Sequence, residues 1–154
     1  MMSKTTITAE PNKQELFITR EFAAPRELVY KAHIEPEIVA KWMGTKVLQL
    51  EAKKHGNFQL ETTDPQGNVH RFNGTIHNLV PNEKITRTFE MENTSFPTQL
   101  EFFEFEKLTD KTSKLTMHII YKSVEVRDAI LKLPFEFGLN KAHDKLQETI
   151  NQLK

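Results

Sequence analysis

Apolar positions near the C-terminus recur every three or four residues. Leu139, Ala142 (or His143), Leu146, Ile150 and Leu153 form one stripe, while Asn140, Lys141, Lys145, Glu148 and Gln152 lie opposite. The pattern predicts a helix from about Phe135 to Gln152, roughly 27 Å long at 1.5 Å per residue. A shorter helical segment, Val124 to Leu133, precedes it with Val126, Ala129, Ile130 and Leu133 on one side. Pro134 separates the two, because proline lacks an N–H, disfavours helix at the residue before it, and fits the first turn of a following helix. A long amphipathic helix needs a broad apolar surface to lie on.

The rest of the chain supplies a sheet. Residues 1–13 are polar and read as a flexible arm or a short edge strand, which places the domain at 14–154. Glu15 to Phe22 alternates as a first strand. Pro25 opens a short helix with Leu28, Val29 and Ala32 inward, and a second runs from Glu35 to Lys41 and ends at Trp42-Met43-Gly44. From Lys46 to Tyr121 the texture is that of strands. Phe58, Leu60 and Thr62 share a face, and Asp64-Pro65-Gln66-Gly67-Asn68 has hairpin-turn chemistry. Phe72, Gly74 and Ile76 share a face of the returning strand, with a bulge expected at Gly74. Strands over Lys84–Met91, Gln99–Glu106 and Ser113–Tyr121 follow. The fold class is α+β: a curved antiparallel sheet of about six to seven strands wrapped around the long helix, with two short helices after the first strand.

Composition narrows the function classes. The chain of 154 residues has the size of one domain with one core. Lys plus Arg and Asp plus Glu are 21 each, a net charge of zero that argues against a dedicated nucleic-acid binder. There is no cysteine, so thiolate metal sites and disulfides are excluded. No stretch has signal-peptide or membrane-span character, and a cytoplasmic protein is expected. The six histidines show no metal-ligand spacing, no nucleophile elbow or phosphate loop is present, and no cofactor is implied.

Several motifs are more specific. They are Ala24-Pro25-Arg26-Glu27-Leu28-Val29-Tyr30-Lys31-Ala32, Glu35-Pro36-Glu37 with Trp42-Met43-Gly44, and Asp64-Pro65-Gln66-Gly67. Phe72-Asn73-Gly74, Pro81-Asn82-Glu83-Lys84-Ile85, Ser123-x-Glu125-x-Arg127-Asp128-Ala129 and Glu136-x-Gly138-x-Asn140 with Asp144-x-Leu146 continue the series. Together they resemble the SRPBCC (START/birch-pollen-allergen-like, helix-grip) superfamily, in its branch related to the activator of the heat-shock protein 90 ATPase. The resemblance spans about residues 14–153. Many relatives carry Trp-Trp-Gly-Pro where this chain has Trp42-Met43-Gly44-Thr45, and Gly-Gly where it has His55-Gly56.

The resemblance implies a cavity between sheet and helix, used in the superfamily for lipids, hormones, polyketides or other apolar molecules. Strand phase and the helix stripe select Trp42, Phe58, Arg87, Phe102, Met117, Phe137 and His143 as its lining. Each apolar candidate has an alternative reading as ordinary core, the commoner fate of an inward aromatic. Arg87, in phase with Ile85, Phe89 and Met91, either anchors a ligand carboxylate or phosphate or pairs with a glutamate such as Glu104. His143 is either a cavity donor or a satisfied core histidine.

Three functions fit. The first is a non-catalytic carrier or sensor of a hydrophobic small molecule or lipid. The second is a chaperone-linked, stress-response interaction protein. The third is a cyclase- or hydrolase-like enzyme working through an Arg87–His143 pair. The chain is expected to act as a monomer or homodimer.

Overall fold

In the computed structural model, which describes residues 3–154, the polar N-terminal stretch carries a strand of its own. This strand, β1 (Thr6–Thr8), pairs antiparallel with β2 (Glu15–Phe22), so of the two expectations for this stretch, flexible arm or short edge strand, it is the edge strand that forms, and the sheet begins ahead of residue 14. Alternation in β2 turns Leu16, Ile18, Arg20 and Phe22 to the interior. Two short helices follow, α1 (Arg26–Ile34) and α2 (Pro36–Met43), each with a proline at its start. α1 buries Val29, Tyr30 and Ala32, with Leu28 only half-buried.

The meander continues through β3 (Lys46–Leu50), β4 (Asn57–Thr63), β5 (Val69–Val80), β6 (Lys84–Met91), β7 (Gln99–Lys107) and β8 (Ser113–Ile120). The chain closes with α3 (Val124–Leu131) and α4 (Phe135–Leu153). The eight strands form one antiparallel sheet in the order β1-β2-β8-β7-β6-β5-β4-β3, one strand more than expected because of the β1 edge. Among the described residues, no helix is long and apolar enough to cross a membrane.

α4 lies across the inner face of the sheet and packs against α1 and α2. Leu146 and Ile150 are fully buried, and each is worth about 1.5–3 kcal/mol of burial, which fixes the helix on the core. They meet the inward rows Leu16-Ile18-Phe22, Phe103-Phe105 and Leu115-Met117-Ile119. The apolar stripe frays at its end, where Leu153 is exposed.

Three local expectations need correction. In β7 the inward residues are Glu101, Phe103 and Phe105, so Phe102 and Glu104 face outward. In α3 only Arg127 is buried, because its guanidinium reaches back to the carbonyls of Glu10 and Glu15 and holds the N-terminal segment. The bulge of β5 falls between Ile76 and Asn78 rather than at Gly74. His55 adopts φ +68°, left-handed backbone that favours glycine, and its N–H bonds the Ile76 carbonyl beside that bulge.

Candidate functional site

The sheet curves away from α4 and leaves a cavity of about 260 Å³ between them. Its walls are mostly apolar: Trp42 of α2, Phe58 and Leu60 of β4, Phe89 of β6, Phe103 of β7, Met117 and Ile119 of β8, and Phe135 and Leu139 of α4. Trp42 is held in place by its indole N–H, which donates to the Ala32 carbonyl at 2.7 Å.

One charged pair interrupts this surface. Arg87 and Glu101 face each other directly across β6 and β7, and Arg87 Nε donates to Glu101 Oε1 at 2.8 Å. Gln99 Nε2 donates to the other carboxylate oxygen at 2.7 Å, so both oxygens of Glu101 are satisfied although the residue is only 4% exposed. The guanidinium lies over the rings of Phe103 (4.7 Å), Phe58 (4.8 Å) and Phe89 (5.6 Å). Its terminal nitrogens find no acceptor among the described residues, which leaves donors at the cavity wall.

Two histidines add polar atoms. His33, on α1, packs among Trp42, Phe103 and Phe105, and its Nδ1–H donates to the Val29 carbonyl at 2.7 Å. A neutral ring so bonded presents Nε2 as an acceptor. Burial, opposed by the Val29 bond and reinforced by the Arg87 charge, pushes His33 down to about 4. His143, on α4, is 1% exposed, and its Nδ1 lies 2.8 Å from Thr5 Oγ1. Burial first, then the fields of His33 and Arg20, push it down to about 3 against the pull of Asp144. Both imidazoles are therefore neutral at pH 7.

This has a consequence for stability. Both native-state values lie below the unfolded value near 6.5, so the unfolded chain binds more protons as pH falls. Stability is full above pH 6.5 and declines toward pH 4 for His33 and pH 3 for His143. His33 alone is expected to cost about 2 kcal/mol at pH 5. Urea denaturation at pH 7.5 and 5.0 checks this, and His33→Gln should flatten the dependence; equal midpoints at the two pH values would contradict it.

Of the seven residues selected from sequence, Trp42, Phe58, Arg87, Met117 and His143 converge on the cavity. Phe102 and Phe137 do not. Phe102 stacks on His118 on the outer face of the sheet, one residue out of phase, and His118 in turn stacks on Phe17. Phe137 is 72% exposed, midway between the inward residues Phe135 and Leu139 and so on the opposite face of α4. The partner of Arg87 is Glu101 rather than Glu104. His33, Gln99 and Glu101 escaped the sequence reading; correct phasing of β7 would have found the last two, and nothing in the sequence singles out His33.

A family model described as "Activator of Hsp90 ATPase homolog 1-like protein" matches residues 23–151. No curated protein matches the chain. Among solved structures, the chain is similar to a protein from Rhodobacter sphaeroides at 20% identity and a TM-score of 0.83, over 97% of this chain and 100% of that one. A protein from Arthrobacter aurescens gives 14% identity and a TM-score of 0.85, over 96% of this chain and 91% of that one. One from Chromobacterium violaceum gives 24% and 0.74, over 89% of this chain and 96% of that one. At these identities the likeness is one of fold.

Proposed function

We propose, from the premise that the chain belongs to the activator of Hsp90 ATPase homolog 1-like family within the helix-grip (SRPBCC) superfamily, that it is a non-catalytic binder of a small, neutral, apolar molecule carrying a hydrogen-bond acceptor. The observation that carries this reading is an apolar cavity into which a few fixed polar atoms project. Its size limits the ligand. A cavity of about 150 Å³ holds benzene, so 260 Å³ encloses on the order of ten non-hydrogen atoms, far fewer than a two-chain lipid carries.

Charge limits it further. Glu101 already neutralises Arg87, so a carboxylate or phosphate would enter as an excess buried charge, whereas a carbonyl or ether oxygen takes the free guanidinium donors without that cost. His33 and His143, pushed down to about 4 and about 3, are neutral near pH 7, so neither offers an imidazolium as a general acid and both lie below the basicity at which a general base works best, which favours recognition over catalysis.

The chain has one tryptophan and hence one indole N–H resonance, and Trp42 lines the cavity. Titration with 1-indanone is expected to shift that resonance saturably. Indane-1-carboxylate should bind at least about tenfold more weakly, a gap of about 1.4 kcal/mol. Val39→Phe, which puts a ring into the cavity, should abolish both responses while the protein stays folded. An indole resonance unmoved up to the solubility limit would remove this reading in favour of a chaperone-contact role, which the family's description favours.

A further inference from the structure

The polar group that α4 offers to the cavity is governed from the other end of the chain. Thr5 is fully buried ahead of β1, clasped by Asn140, whose Oδ1 accepts the Thr5 backbone N–H at 2.8 Å. Its hydroxyl stands between Arg20 and His143: Arg20 Nη1 donates to Thr5 Oγ1 at 3.2 Å, and Oγ1 lies 2.8 Å from His143 Nδ1. Arg20, itself 2% exposed, is anchored through Nη2 to Asp144 Oδ1 at 2.8 Å.

The directions of these bonds follow from chemistry. A guanidinium only donates, so Thr5 Oγ1 accepts from Arg20. The hydroxyl's single proton then goes to His143 Nδ1. The reverse arrangement, with Nδ1–H donating to Thr5, would give the oxygen two donors and leave its own proton without the imidazole as acceptor. A neutral ring whose Nδ1 accepts carries its proton on Nε2.

We infer that Thr5, oriented by Arg20, fixes His143 as the Nε2–H tautomer and is thereby the positioning residue that gives the α4 wall of the cavity a hydrogen-bond donor. With the Arg87 guanidinium and the bare Nε2 of His33, the cavity then offers donors from two walls and an acceptor from a third. The matching ligand carries an acceptor oxygen toward α4 and β6 and a hydroxyl or N–H toward α1. This consequence for ligand choice rests on the binding role proposed above.

The relay itself is tested without any ligand. Ring-nitrogen chemical shifts of His143 at pH 7.5 should be pyridine-type for Nδ1 and pyrrole-type for Nε2. Thr5→Ser should retain this pattern, and Thr5→Val should shift both nitrogens toward an average of the two tautomers. A pyrrole-type Nδ1 in the unsubstituted protein, or unchanged shifts in Thr5→Val, would overturn the inference. Since the unsubstituted protein and Thr5→Ser decide the tautomer, poor folding of Thr5→Val does not protect it.

The ligand consequence is read from the affinity ratio of 1-indanone to indane, which differ in one acceptor. The ratio should fall about fivefold in Thr5→Val, the worth of one hydrogen bond, and recover in Thr5→Ser. An unchanged ratio would mean that Arg87 alone holds the acceptor and would overturn the specificity role of Thr5. If neither probe binds, the proposed ligand-binding role fails, and the ring-nitrogen shifts still decide the relay.

Discussion

Gly74→Ala is expected to cost about 3 kcal/mol or more of stability and to disturb the cavity in the same stroke. Gly74 sits on β5 directly opposite Phe58 of β4. A Cβ there would fall well inside the roughly 3.5 Å at which nonbonded carbon atoms balance, against both the Thr88 carbonyl oxygen and the edge of the Phe58 ring. The ring could swing away, but the carbonyl belongs to the backbone of β6 and cannot. The ladder is already adapted at this point, where the Thr75 N–H donates to the Thr88 hydroxyl at 3.0 Å. Any displacement of Phe58 moves the surface on which the Arg87 guanidinium rests. Gly67→Ala is the control, since it meets open space and carries only the cost of a positive φ, about 1 kcal/mol. Urea denaturation of both variants would separate the two effects, and a loss below about 1 kcal/mol for Gly74→Ala would show that the sheet can yield here.

The elements that alternate or repeat cleanly were legible in the sequence, and the buried polar residues were missed for one shared reason. The stripe Leu139, Leu146, Ile150 predicts α4 within a residue of its observed ends. β7 misled because Phe102 and Phe103 are adjacent, so either phase offers an aromatic, and the correct phase puts Glu101 inside. A glutamate argues for the solvent face until its arginine and glutamine partners are known, and they lie on a neighbouring strand and two residues away. α3 formed as expected, with Val126 and Ile130 half-buried on the core, but its one buried residue is Arg127, satisfied by carbonyls more than a hundred positions back in the chain. Thr5 is the extreme case, a threonine in a polar stretch that is buried because Asn140, Arg20 and His143 each bond it. Apolar burial is visible in one sequence as periodicity. Polar burial depends on partners brought together by the fold, and the candidate site is defined by such groups.

Arg87→Ala should therefore reveal more than any apolar substitution in the cavity. It is expected to destabilise by about 3–5 kcal/mol. The figure measures what is left behind rather than the worth of the ion pair: Glu101, 4% exposed beside its arginine, would keep only the Gln99 amide to answer its charge. Three stacked phenylalanine contacts would go as well, enlarging the cavity beneath Phe58, Phe89 and Phe103. Replacing both partners, as Arg87→Met with Glu101→Leu, should recover most of the loss, because apolar groups of similar volume fill the site without a desolvated charge. The double-mutant cycle in urea should then give a coupling of at least about 2 kcal/mol. Additive single losses would sink the argument, since they would mean that water reaches Glu101 and that the site is more polar than its walls suggest. The double variant also separates stability from recognition. It should be nearly as stable as the parent yet lose the guanidinium's share of its discrimination between 1-indanone and indane, keeping only the share that His143 Nε2–H supplies, because the pair contributes donors held at fixed positions in an apolar wall. Under the binding role proposed above, a charged pair in this position is a weak stabiliser whose use is to discriminate between ligands.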